Sequence, residues 1–161
     1  MRLYKLYVRP HLEFAVAAWS PWTIADIECL EKVQKRAVNM VSGLKGDTYA
    51  AKLTELGMTT LKARRDETDM VEVFKILSGT SDVDPQTWFT MNRPAEGGRT
   101  TRQAADPLSL RLAPARLEIR RNFFSVRVCE KWNNLPSSVK QCKNARSFKL
   151  AYRHFMENPP A

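Results

Sequence analysis

A chain of 161 residues, 43% of them hydrophobic, holds one domain-sized core or one core with an appended subdomain, and its 26 Lys and Arg against 17 Asp and Glu leave a net charge of +9. No apolar run approaches the roughly 18 to 20 uncharged residues of a membrane span, and Arg2, Lys5 and Arg9 run through the first apolar stretch rather than preceding it, so neither a transmembrane helix nor a signal peptide is expected. Cys29, Cys129 and Cys142 are odd in number and widely spaced, which fits neither a disulfide framework nor a zinc site with His154; they read as core thiols, and His154 as a surface histidine, of an intracellular protein of the nucleus or cytoplasm.

The periodicity predicts a mostly α fold: a helical bundle over 1–79, a loop or linker over 80–113 that turns basic from 93, and a helical subdomain over 114–161. In the first segment Pro10 interrupts an amphipathic pattern, so a helix should break or restart there and a second piece run to about Trp19. Thr23 then opens "TIADIECLEKVQKRAVNMVSG", one helix capped at its start and ending at Gly43. Its apolar arc holds Ile27, Leu30, Val33, Ala37, Val38 and Val41, and its solvated face Glu28, Glu31, Lys32, Lys35 and Arg36. Glu28 with Lys32 and Glu31 with Lys35 are i,i+4 pairs in the favourable order, which partly neutralises these lysines as contacts for a polyanion. Gln34 sits in the middle of the apolar arc and should find a buried hydrogen-bond partner.

"GDTYAAKLTELG" predicts a short helix stopped at Gly57, and Thr60 caps a longer one ended by Gly79, with Ala63, Met70, Val73, Phe74 and Leu77 on its buried side. Asp66, Glu67 and Asp69 read as the charged side of a surface helix, through Lys62 to Asp66 and Arg65 to Asp69 pairs, rather than as metal ligands. Asp84 before Pro85 reads as an N-cap with proline at the first helical position. The stretch from Arg93 to Ala113 lacks apolar periodicity, and only "LSLRL" alternates as a short strand. Pro114 opens a helix that can run to just before Pro136, with Leu117, Phe124, Val128, Trp132 and Leu135 on one face; a last helix spans about Ala145 to Glu157.

Charge is uneven along the chain. Residues 1–47 hold 7 Lys and Arg against 5 Asp and Glu, residues 48–92 hold 5 against 7, residues 93–127 hold 8 against 3, and residues 128–161 hold 6 against 2. The basic excess therefore lies wholly after Asn92, as expected of a polyanion-binding C-terminal half. Motifs for independent chemistry are missing: there is no G-x-S-x-G, P-loop, H-E-x-x-H or dinucleotide fingerprint, and two histidines are a poor supply of general bases. No catalytic residue, no metal site and no cofactor is assigned.

Four stretches, "YKLYVRPHLEFAVAAWSPW", "DIECLEKVQKRAVNMVSGL", "LTELGMTTLKARRDETDMVEVFKILSG" and "RRNFFSVRVCEKWNNLPSSVKQCKNARSFK", in that order and over nearly the whole chain, resemble the C-terminal part of non-LTR (LINE-type) retrotransposon reverse transcriptases. The resemblance implies a helical thumb and the extension after it, preceded in the family by an endonuclease, fingers and the palm with its metal-binding aspartates. None of Asp66, Asp69, Asp82 and Asp84 matches that aspartate motif, so the resemblance carries over no catalytic residue. The ending at Pro159, Pro160 and Ala161 is compatible with the family's C-terminus, which in this subgroup lacks a cysteine-histidine knuckle.

What the resemblance implies is a segment that holds RNA or RNA/DNA duplex through backbone contacts, which depend on positive charge rather than base readout. Its expected contacts are Arg116, Arg120, Arg127 and Lys131, which lie within one narrow strip of the helix after Pro114, together with Arg99, Arg102, Arg121 and Phe123. Phe124 shares the apolar face and reads as core. Two other classes stand beside this one: a protein-interaction module docking a missing polymerase domain, and an element-derived reading frame with no selected function.

Overall fold

Helix ends in this protein are written by single side chains, and most fall where the sequence places them. The computed structural model describes residues 1–92 and 106–158. These residues are mostly helical, with ten α-helices, one π-helical turn and no strand among them, and none of the helices is long and apolar enough to cross a membrane. The expectations for residues 93–105, including Arg99 and Arg102, lie outside the described residues. The chain divides into two compact units, Met1–Thr68 and Asp69–Ala161.

The first unit begins with the π-helical turn Tyr4–Val8, which runs without interruption into α1 (Arg9–Glu13), so the break expected at Pro10 is a change of helical type just before it rather than a gap. Phe14 is extended and Ala15 takes a left-handed φ of 49°, so the expected second piece is itself interrupted before α2 (Val16–Trp19). In α3 (Ile24–Asn39) the Thr23 hydroxyl accepts from the Asp26 N–H, as anticipated; the helix stops at Asn39, one turn short of Gly43. Thr48 caps α4 (Tyr49–Glu55) by accepting from Ala51 N–H, and Thr60 caps α5 (Leu61–Leu77) by accepting from Ala63 N–H. Gly57 and Gly79, the expected stops, have φ of 58° and 69°, a region in which a Cβ is strained.

The core of the first unit gathers Tyr4, Val38, Leu53 and Met58, flanked by Leu12, Ala37, Leu44, Tyr49 and Leu56. Gln34 is fully buried and saturated: Tyr4 OH donates to its Oε1 at 2.9 Å, and its Nε2 donates to Tyr49 OH at 2.9 Å and to the Thr59 carbonyl at 3.0 Å. Glu31 departs from the sequence expectation. It is buried, accepting from Tyr49 OH at 2.5 Å and from Leu61 N–H at 3.0 Å, because an acceptor is needed where α5 begins. The expected pairing with Lys35 gives way accordingly, and Lys35 lies 5.4 Å over the Tyr49 ring. Val33, placed on the apolar arc, is exposed. Arg64 forks onto Glu13, tying the N-terminal segment to α5.

The acidic side of α5 is the second departure. Arg65, Glu67 and Asp69 are buried and Ala63 is exposed, so this is not a surface helix with a solvated acidic cluster. Met70, Val73, Phe74 and Ile76 are buried, and Phe74 stacks on Phe148 at 4.7 Å. The division between the units falls within this helix, so the residues after Thr68 belong to the second unit, whereas the periodicity groups everything up to residue 79 with the first bundle.

The second unit contains α6 (Pro85–Trp88), α7 (Glu118–Arg121), α8 (Phe124–Asn133), α9 (Ser137–Lys140) and α10 (Ala145–Glu157). Its centre is a run of rings: Trp132 stacks on Phe148 at 5.8 Å and Phe148 on Tyr152 at 6.2 Å. The "LSLRL" segment forms a single bridge, Met91 to Leu110, rather than a strand. Side chains complete its bonding, with Asn133 accepting from Leu110 N–H and donating to Leu110 O, both at 2.8 Å, and Trp132 Nε1 donating to Leu108 O at 2.8 Å. Asn144 and Ser147 form a reciprocal capping box at the start of α10.

Candidate nucleic-acid interface

The helix expected from Pro114 to Leu135 is two helices, and the break between them shapes the site. Asn122 ends α7 by donating its side-chain amide to the Glu118 carbonyl at 2.9 Å, and Phe123 is extended before α8 begins at Phe124. Arg127 locks the break: its Nη1 donates to the Asn122 carbonyl at 3.0 Å, while Nε and Nη2 form a two-pronged pair with Asp69, both at 3.0 Å. A strip computed for one continuous helix therefore does not exist, because Arg116 and Arg120 stand before the break and Arg127 and Lys131 after it. Leu117, expected on the buried face, is exposed for the same reason.

The basic residues separate into two groups. Arg127 is engaged within the unit, with its guanidinium 5.5 Å over the Phe124 ring as well as on Asp69. Lys140 is buried, donating to Asp106 at 2.6 Å and to the Asn133 carbonyl at 3.3 Å. Burial works against the charged form of Asp106, but Lys140 and the Leu108 N–H outweigh it and hold that carboxyl below its usual value. Arg121 is exposed but folded back, donating to Glu118 at 2.8 Å and to the Ala115 carbonyl at 3.1 Å. Arg111, Arg116, Arg120, Lys131, Lys143 and Arg146 are exposed.

At the break, planar groups pile up. The Arg120 guanidinium lies 5.0 Å over the Phe123 ring, and Phe123 stacks on Trp88 at 5.8 Å with only 4° between the planes. Phe123 is 43% and Trp88 37% exposed, so this is a surface feature. Beneath it Phe124 meets Trp88 and Phe89 edge-on at 6.1 and 6.0 Å, and Phe124 and Phe89 are buried. Trp88 is positioned by its own short helix, whose start is fixed by Asp84 accepting from Gln86 N–H at 3.0 Å with Pro85 following. Sequence reasoning missed Trp88 as a site residue. The one local signal was the capped "DPQTW" turn, which presents an aromatic side chain at its end.

Among the described residues no group of three or more His, Cys, Asp or Glu is placed to hold a metal ion. The cysteines have three different surroundings: Cys29 is exposed, Cys142 half-buried and Cys129 buried, so only the last is a core thiol, its pKa raised by burial. Comparison with protein-family models, with curated proteins and with solved structures returns no match.

Proposed function

We propose that this chain is a non-catalytic nucleic-acid-binding segment of the kind that follows the palm in LINE-type reverse transcriptases, gripping RNA or RNA/DNA duplex without sequence preference. The observation that carries the proposal is the set of exposed cations on the second unit, Arg111, Arg116, Arg120, Lys143 and Arg146, of which Arg120 lies over a half-exposed aromatic pair. The resemblance of the four sequence stretches supports the same reading. Phosphate neutralisation needs cations that reach solvent.

The test is a polarisation titration of a labelled RNA/DNA hybrid against the full chain over a series of salt concentrations. Affinity should fall steeply with salt, and Arg116→Ala with Arg120→Ala should weaken binding and flatten the log–log slope by roughly one per lost phosphate contact. Salt-insensitive binding, or an unchanged slope in the double variant, would count against it.

A second reading, docking of the first unit against a polymerase palm, is favoured by the exposed Leu3, Leu6, Tyr7, Phe14 and Ile24. Binding of a purified palm domain of that polymerase class, lost on Leu6→Glu with Phe14→Glu, is its test.

A further inference from the structure

Phosphate contacts explain the exposed cations but not the rings. Trp88 and Phe123 come from two distant segments, α6 and the α7–α8 junction, and meet within 4° of parallel at the surface, with Arg120 over the Phe123 ring. Stacking by itself is ordinary in this unit, whose buried core stacks Phe74 on Phe148 and Phe148 on Tyr152; what sets Trp88 and Phe123 apart is that they stack at the surface, above the buried Phe124 and Phe89. Both upper rings keep a large share of their surface in water. An exposed parallel pair beside a guanidinium group matches the two demands of an unpaired nucleotide: a π-face for the base and positive charge for its phosphate.

We propose that Trp88, Phe123 and Arg120 form a stacking platform for an unpaired base, so that the protein engages a single-stranded overhang at the end of a duplex rather than duplex alone. The inference rests on the nucleic-acid reading above. It goes beyond it by assigning a contact that charge neutralisation does not supply. Arg116, exposed and just before α7, is placed on the same segment to meet the adjoining phosphate.

The deciding experiment compares two RNA/DNA hybrids of identical duplex, each with an overhang of the same length, one carrying bases and the other abasic. Both present the same phosphates, so the ratio of their affinities reports stacking alone. The wild-type chain should bind the base-bearing overhang roughly tenfold more tightly. Phe123→Leu, which keeps apolar bulk at the junction, should bring the ratio close to one while leaving the salt slope unchanged; Phe123→Tyr should retain the ratio, and Trp88→Leu should reduce it. Equal, salt-sensitive binding of both hybrids by the wild-type chain would overturn the platform and leave the phosphate-binding reading standing. A ratio retained in both Phe123→Leu and Trp88→Leu would overturn the placement. No binding of either hybrid by the wild-type chain would overturn both readings.

Discussion

Gln34 shows how one polar side chain organises a core. Its amide holds together Tyr4, Tyr49 and the Thr59 carbonyl, joining the first turn of the chain, α4 and the approach to α5 at one buried point. Gln34→Met keeps much of the volume but leaves the buried Tyr4 hydroxyl without its acceptor and takes a donor from the part-buried Tyr49 hydroxyl and from the Thr59 carbonyl. It should therefore lower the unfolding free energy by about 2 kcal/mol, measured by urea denaturation. A loss within experimental error would show that the network is dispensable. The pair of Lys140 and Asp106 makes a different prediction. The folded Asp106 carboxyl releases its proton below the ordinary value of 3.8, so its stabilisation is complete above that value. It drains away as pH falls from there through the folded pKa. Lys140→Met should abolish this acid-dependent part, and the difference in stability between wild type and variant should narrow as pH drops below about 4. A difference independent of pH would exclude the pairing as its source.

At the scale of elements, the break between α7 and α8 is the feature on which the candidate interface depends. Nothing in the 3.6-residue period forbids a continuous helix over 114–135; the break persists because Asn122 caps the first piece and Arg127 holds the Asn122 carbonyl from the second. Arg127 also reaches Asp69 in α5, whose side chain is only 5% exposed. Arg127→Ala should cost about 3 kcal/mol, seen as a lower urea midpoint. Arg127→Lys should not restore it, because an ammonium cannot reproduce the two-pronged geometry. Full recovery with lysine would mean that only charge matters there. Under the proposed nucleic-acid reading, altering Arg127 changes binding through the fold of the junction rather than through a lost phosphate contact.

Across the whole molecule, the charge asymmetry is milder than the sequence windows suggest. Divided at the structural boundary, the first unit holds 11 Lys and Arg against 8 Asp and Glu, and the second 15 against 9. The second unit still carries the larger net charge, but Arg127 and Lys140 are consumed inside it. The lysines of α3 supply the control for the salt titration: Lys32→Ala with Lys35→Ala should shift the log–log slope less than Arg116→Ala with Arg120→Ala. Their reason has changed, since Glu31 faces inward and Lys35 lies over Tyr49.

What the sequence by itself determined was local. Thr23, Thr60, Asp84, Gly57 and Gly79 mark helix ends through bonds and dihedrals that involve residues within about a turn, so their effect can be read from neighbours alone. The helical class and the bounds of α10 follow from the same local signals. The need of Gln34 for partners was also legible, because a buried amide must be satisfied wherever its partners lie. Tertiary structure alone decided who those partners are, why Glu31, Arg65 and Asp69 are buried, why Arg127 is structural, and how Trp88 comes to lie on Phe123. A helical wheel compares residues on one helix, and polar side chains fall on its solvated side by default. An ion pair between residues 58 positions apart, or a stack between two short segments, is chosen by the path of the chain in space, to which that periodicity is blind.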